Sequence, residues 1–148
     1  EENIALPAIV LGFSSQGRGA YIPASDRYTY KSPGFFATLS KNYMMLGFLS
    51  IHGGVNYSLE RADGDRDMNV FFGADKTLLP FVSMVLEYNL AMNDNSSGSN
   101  GRGYLSAGLR CSFGGGATFG FFFKDMLKNS QNVSFANRSA SFEFVHLF

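Results

Sequence analysis

The sequence predicts an all-β fold, an eight-stranded antiparallel up-and-down transmembrane β-barrel of the kind found in bacterial outer membranes. Three observations predict it. Strand-like runs alternate between large apolar and small polar residues, the period expected of a wall with lipid on one face and a lumen on the other. The connections alternate in length, long at 14–33, 59–67, 93–102 and 127–137, and short near Asn42-Tyr43, at 76–80 and at Gly114-Gly115-Gly116. Tight turns on one side of a membrane and longer loops on the other give that rhythm. Charged residues are only 16% of the chain, against about 25% in an average soluble domain, so little of the surface is dressed for water.

The first strand, about 4–13, is the weakest, because it carries Pro7 and is apolar on both faces. In the second, Phe35, Ala37 and Leu39 oppose Phe36, Thr38 and Ser40. The third, 43–59, sets Met45, Leu49, Ile51, Val55 and Tyr57 against Ser50, His52, Gly54, Asn56 and Ser58. In the fourth, Val70, Phe72 and Ala74 oppose Asn69, Phe71, Gly73 and Asp75. The fifth, 81–93, is the clearest: Val82, Met84, Leu86, Tyr88, Leu90 and Met92 share one face, and Ser83, Glu87, Asn89 and Asn93 the other. Its length suits a tilted strand crossing a bilayer. The sixth, 104–113, puts Leu105, Ala107, Leu109, Cys111 and Phe113 opposite Ser106, Gly108, Arg110 and Ser112. The seventh, 117–125, sets Phe119, Phe121 and Phe123 against Thr118, Gly120, Phe122 and Lys124, and the last sets Ala140, Phe142, Phe144, His146 and Phe148 against Ser141, Glu143, Val145 and Leu147.

Residues 1–148 read as a single domain, enough chain to close a small barrel. Net charge is zero, so no basic stripe is offered to nucleic acid. The single cysteine, Cys111, allows no internal disulfide. A soluble barrel also alternates, but its polar face is expected to be rich in Lys and Glu. Here that face is mostly Ser, Gly, Asn and Thr, which suits a narrow lumen. Even strand number and the terminal aromatic place both termini in the periplasm.

The segments "ATLSKNYMMLGFLSIHGGVNYSLE", "VLEYNLAMND", "GRGYLSAGLRCSF" and "FKDMLKN", with the closing "NRSASFEFVHLF", span roughly residues 35–148. They resemble the YjbH-like and related porin-like group of bacterial outer-membrane barrel proteins. Phe142, Phe144 and Phe148 resemble the C-terminal signal read by the barrel-assembly machinery. The resemblance implies an outer-membrane location and no particular substrate.

The candidate lumen residues are Glu87, Arg110, Lys124, Glu143, His52 and Asn89. Glu87 with Arg110, and Lys124 with Glu143, are expected to pair across neighbouring strands, since an unpaired charge in a low-dielectric interior is costly. Such pairs either hold the barrel closed or line a path for a solute; eight strands leave just enough interior for side chains, which favours the first. Asp63, Asp65 and Asp67 form a candidate calcium loop. An EF-hand would need glutamate where Ala74 stands, so a solvated loop neutralised by Arg61 and Arg66 is the plainer account. His52, His146 and Cys111 assemble neither a metal set nor a nucleophile pair, and no catalytic triad is visible. Tyr21, Tyr28 and Tyr30, in the first long connection, suit a partner or glycan site or an interfacial aromatic belt equally.

The expectation is a non-enzymatic outer-membrane barrel without cofactor, a structural or accessory part of an envelope assembly acting through its long loops or rim. Its expected partners are outer-membrane lipid, the barrel-assembly machinery during insertion and other envelope proteins. The alternatives are a small porin-like channel for solutes and a soluble β-barrel binding an apolar ligand.

Overall fold

Period-two patterning with sparse charge leaves the backbone one economical way to satisfy its amides, a continuous antiparallel ladder. The computed structural model describes residues 6–94, 99–130 and 135–145. Ten strands follow one another: β1 Ala8–Ser14, β2 Arg18–Ile22, β3 Arg27–Tyr30, β4 Gly34–Met44, β5 Phe48–Ser58, β6 Asn69–Leu79, β7 Val82–Asn89, β8 Tyr104–Phe113, β9 Ala117–Lys124 and β10 Asn137–Phe144. Eight form one antiparallel sheet in the order β1-β4-β5-β6-β7-β8-β9-β10, and β2 pairs with β3 as a separate hairpin.

Cross-strand partners follow the two faces read from the sequence. One face carries Leu39, Gly53 and Phe72 side by side, and Leu109 beside Phe121. The other carries Asn56 beside Asn69, and Glu87 beside Ser106. The ladder is steeply staggered. A line of partners runs Asn42, Ser50, Asp75, Val85, Gly108, Phe122, Ser139, climbing from the tight-turn end of β4 to the long-connection end of β10.

Burial is inverted relative to a water-soluble domain. Among the described residues the only buried apolar side chain is Ala91, whereas Arg27, Ser58, Asn69, Asn93, Asp94, Asp125 and Asn129 are all buried. Large apolar residues from every strand of the sheet, such as Leu11, Leu39, Ile51, Phe72, Leu86, Leu109, Phe119 and Phe142, are exposed.

On the polar face, bulky rings lie over glycines directly across the ladder: Phe36 over Gly12, Phe71 over Gly54, His52 over Gly73 and Phe122 over Gly108. A Cβ at Gly12 would come within 2.7 Å of the Phe36 ring, and one at Gly54 within 2.6 Å of Phe71. Each ring occupies the space that a side chain on its partner would take. The interior is therefore fitted by rings against bare backbone, as well as by polar groups.

Several boundaries differ from the sequence reading, each for a local reason. Strand β1 starts at Ala8, just after Pro7, which has no amide to give the ladder. Asn42 and Tyr43 do not turn; they pair with Ser50 and Leu49, and the reversal is at Met45-Leu46-Gly47. Leu46 sits there at φ 50° and Gly47 at φ 96°. A leucine in the left-handed region is uncommon, so the nearby asparagine drew the turn to the wrong place. Residues 76–79 belong to β6, with a bulge between Thr77 and Leu79, and only Pro80-Phe81 turns. Strand β7 stops at Asn89 rather than Asn93, because Ala91 adopts φ 52° and carries the chain inward. The connection 14–33 contains the β2–β3 hairpin, folded around a short 3-10 turn at Pro23–Ser25.

Candidate functional site: a polar chamber stopped by a hairpin

Because the sheet curves, its polar face encloses a chamber of about 480 Å³ at the long-connection end. All eight strands of the sheet contribute to its lining, from Ser14 of β1 and Gly34 of β4 through Asn56, Asn69, Asn89, Ser106 and Lys124 to Asn137 of β10. The hairpin supplies Arg18, Gly19 and Tyr30, and Lys31 follows directly after it.

Buried charge fastens the hairpin there. The Arg27 guanidinium donates to Asp63 at 2.7 Å and to Asp94 at 2.9 Å, and Lys31 Nζ donates to Asp63 at 2.8 Å. These four side chains are between 1% and 9% exposed, and two cations face two carboxylates. Arg27 also donates to the carbonyls of Tyr28 and Thr29, which fixes its fork against its own strand. Glu60 works beside it through the backbone: its carboxylate accepts Tyr28 N–H at 2.6 Å and Ser32 N–H at 2.8 Å. Asp94 carries the grip into the wall, since it accepts the Tyr104 hydroxyl at 3.0 Å and the Tyr104 ring packs edge-on to Tyr30.

A second polar knot joins two further connections. Asp125 accepts the amides of Asn129 and Ser130, and Asn129 Oδ1 accepts Arg102 N–H at 2.7 Å and the Ser99 hydroxyl at 3.2 Å. Asn69 donates to Asn89 Oδ1 at 2.8 Å and accepts Met92 N–H, which holds the start of β6 to the end of β7.

The predicted lumen residues share the chamber face, but the predicted ion pairs do not form. Glu87 stands across from Ser106, and Arg110 instead reaches Asp75 at 3.3 Å, in a pair 47% and 33% exposed. Such an accessible pair contributes little to stability. Lys124 and Glu143 lie at opposite ends of their hairpin, Lys124 beside Asn137 and Glu143 beside Thr118. Adjacent strands were read correctly, but side-chain pairing depends on register. Asn89 and His52 sit where parity placed them, His52 over Gly73.

The acidic loop also differs from expectation. Asp63 gives its oxygens to Arg27, Lys31 and Asp65 N–H, and Asp65 accepts Asp67 N–H. Among the described residues no three ligands gather that could hold a metal, Asp63, Asp65 and Asp67 included. Asp63 is neutralised by Arg27 and Lys31, while Arg61 stacks on the Tyr57 ring at 4.8 Å. Phe142 and Phe144 are exposed on the apolar face; Phe148 and His146 lie outside the described residues.

The sequence reading missed Arg27, Lys31, Glu60 and Asp94. A cue was present: "AYI" and "YTY" flank "PASD", two β-prone runs around a turn-forming stretch, which is a hairpin pattern.

Burial pushes the Asp63 carboxyl up, but hydrogen bonds from Lys31 and Arg27 outweigh it and hold the group below its ordinary value. A carboxyl lowered on folding adds stability that is complete above its unfolded value, about pH 4. That stability is lost as pH falls through the lower folded value. Hydrogen exchange at the hairpin amides over a pH series, corrected for the intrinsic exchange rate, should therefore show the hairpin held down to about pH 4 and released only below. Release already at pH 5–6, or none at pH 2, would show that Asp63 does not govern the grip.

No family model, curated protein or solved structure matches this chain.

Proposed function

We propose that this chain is an eight-stranded β-barrel of the bacterial outer membrane, with its two ends and tight turns on the periplasmic side. Its outer mouth is stopped by the β2–β3 hairpin. It is non-enzymatic and serves as a structural or accessory component whose loop face meets other parts of the envelope. The observation that carries this is the inverted burial: among the described residues seven polar or charged ones are buried against one small apolar one, while large apolar side chains are exposed on every strand of the sheet. In water that arrangement would leave an apolar surface far larger than a monomer normally shows; in a bilayer it is the stable one.

Two further features support closure. The ladder is staggered, as the tilted wall of a barrel is, and Ser14 of β1 and Asn137 of β10 line the same chamber. A soluble barrel carrying an apolar cargo would need an apolar interior, and the chamber sets Arg18, Lys31, Glu87, Asp94, Lys124 and Asp125 among its aromatic rings. Fractionation with gel migration tests the reading: the protein should partition with outer membranes and migrate faster unheated than boiled. A chain that stays monodisperse without detergent and shows no heat shift would overturn it.

The chamber itself favours one second reading, a small porin-like channel. Steady conductance of the unmodified protein in planar bilayers would support it; a tight seal supports the stoppered barrel.

A further inference from the structure

The charges lining the chamber divide into those the protein spends on itself and those it does not. Lys31 is held by Asp63, Asp94 takes Arg27 and the Tyr104 hydroxyl, and Asp125 accepts two backbone amides. Arg18, Glu87 and Lys124 line the same chamber. Among the described residues, none of these three side chains makes an ion pair or a hydrogen bond. All three are exposed, so a dissolved molecule can reach them.

Register explains why the opposite charges do not meet. Glu87 pairs with Ser106 and Ala107 with Phe123, so one step along that ladder sets Ser106 level with Lys124. The carboxylate and the ammonium therefore rise from one row of the wall with a whole strand between them, roughly 10 Å apart at the backbone. Two hydrogen bonds of about 2.8 Å taken from that span leave roughly 4 Å for a molecule charged at both ends. That separation falls in the range from an α-amino acid to a dipeptide, and the flexible lysine stem takes up the difference. Ser106 stands between the two charges on the chamber face, and Phe36 and Phe71 add rings to the lining rather than competing charges. A chamber of about 480 Å³ is of ordinary size for a small-molecule site.

We infer that the chamber binds a small zwitterion, an amino acid or short peptide, with its ammonium at Glu87 and its carboxylate at Lys124. Arg18, presented by the hairpin, supplies a second cation to the same space. A molecule with one charged end meets one of these partners and leaves the other unmet. Such a site goes beyond the structural role proposed above, and it depends on the chamber rather than on the membrane reading.

Titration calorimetry of the purified full chain in detergent with glycylglycine tests it. The comparison ligands are N-acetyl-glycylglycine, which lacks the ammonium, and glycylglycine amide, which lacks the carboxylate. Glycylglycine should bind more tightly than either blocked form by about ten-fold, the loss of one charged hydrogen bond. Glu87→Gln should erase the preference over the N-acetyl form and keep the preference over the amide. Arg18→Gln with Lys124→Gln should do the reverse. Heat-modifiable migration, run on every variant, reports the barrel independently, and the three-ligand comparison on the unmodified chain decides even where a variant fails to fold. No binding of glycylglycine, equal binding of all three ligands, or preferences that survive the substitutions overturn the site, while a normal heat shift leaves the membrane reading standing. A chain that binds glycylglycine selectively but shows no heat shift keeps the site and overturns the membrane reading.

Discussion

Arg27→Ala is expected to free the β2–β3 hairpin from the chamber while leaving the eight-stranded sheet intact. Arg27 is 3% exposed and bridges Asp63 and Asp94. Truncation keeps Lys31 on Asp63 but leaves Asp94 buried without its guanidinium. Breaking one partner out of a buried ionic set costs about 3–5 kcal/mol, enough to raise the open population by roughly two to four orders of magnitude. Trypsin should then cut at Arg18 or Lys31 in folded protein, and planar bilayers should show openings absent from the parent. Arg27→Lys should restore closure only in part, because a point charge cannot span two carboxylates as a fork does. Unchanged protease resistance together with an unchanged seal would mean that the clamp does not hold the hairpin.

Gly108→Ala is expected to damage the wall itself. A Cβ there would fall within 2.8 Å of both Phe122 Cε1 and the Phe121 carbonyl oxygen. The ring has to leave its seat, and the backbone oxygen cannot move without disturbing the ladder. Overpacking of this kind costs about 1–3 kcal/mol, read as a lower temperature for the unheated-to-heated gel shift. Adding Phe122→Ala should recover part of the loss, since it vacates the contested space. If Gly108→Ala shifts at the parent's temperature, the ring-over-glycine fit is incidental.

Faces were legible in the sequence and pairings were not. Which residues share a face follows from parity alone, so Ile51, Phe72 and Leu109 on one side and Asn56, Asn89 and Lys124 on the other could be read directly. Which charge meets which depends on register, and register depends on turns. Leucine at a left-handed position hid the turn at Met45-Leu46-Gly47. The Lys124–Glu143 expectation ignored that the two lie at opposite ends of one hairpin. The clamp was least legible because its partners are remote: Arg27 lies 36 positions before Asp63, and no local pattern marks either as buried. The acidic loop drew notice as a metal site because its own neighbours were considered and the hairpin's cations were not.

That remoteness also sets an order of events. Arg27 precedes both of its carboxylates, Asp63 standing between β5 and β6 and Asp94 after β7, so the clamp forms only once those strands have been brought together. Contacts so far apart in sequence carry a loop-closure cost that shorter ones do not. The hairpin is therefore expected to seat last, after the strands around it have paired. If the chain is the membrane barrel proposed above, an unsealed stage would precede docking of the hairpin, and its duration would be set by the rate of that docking step.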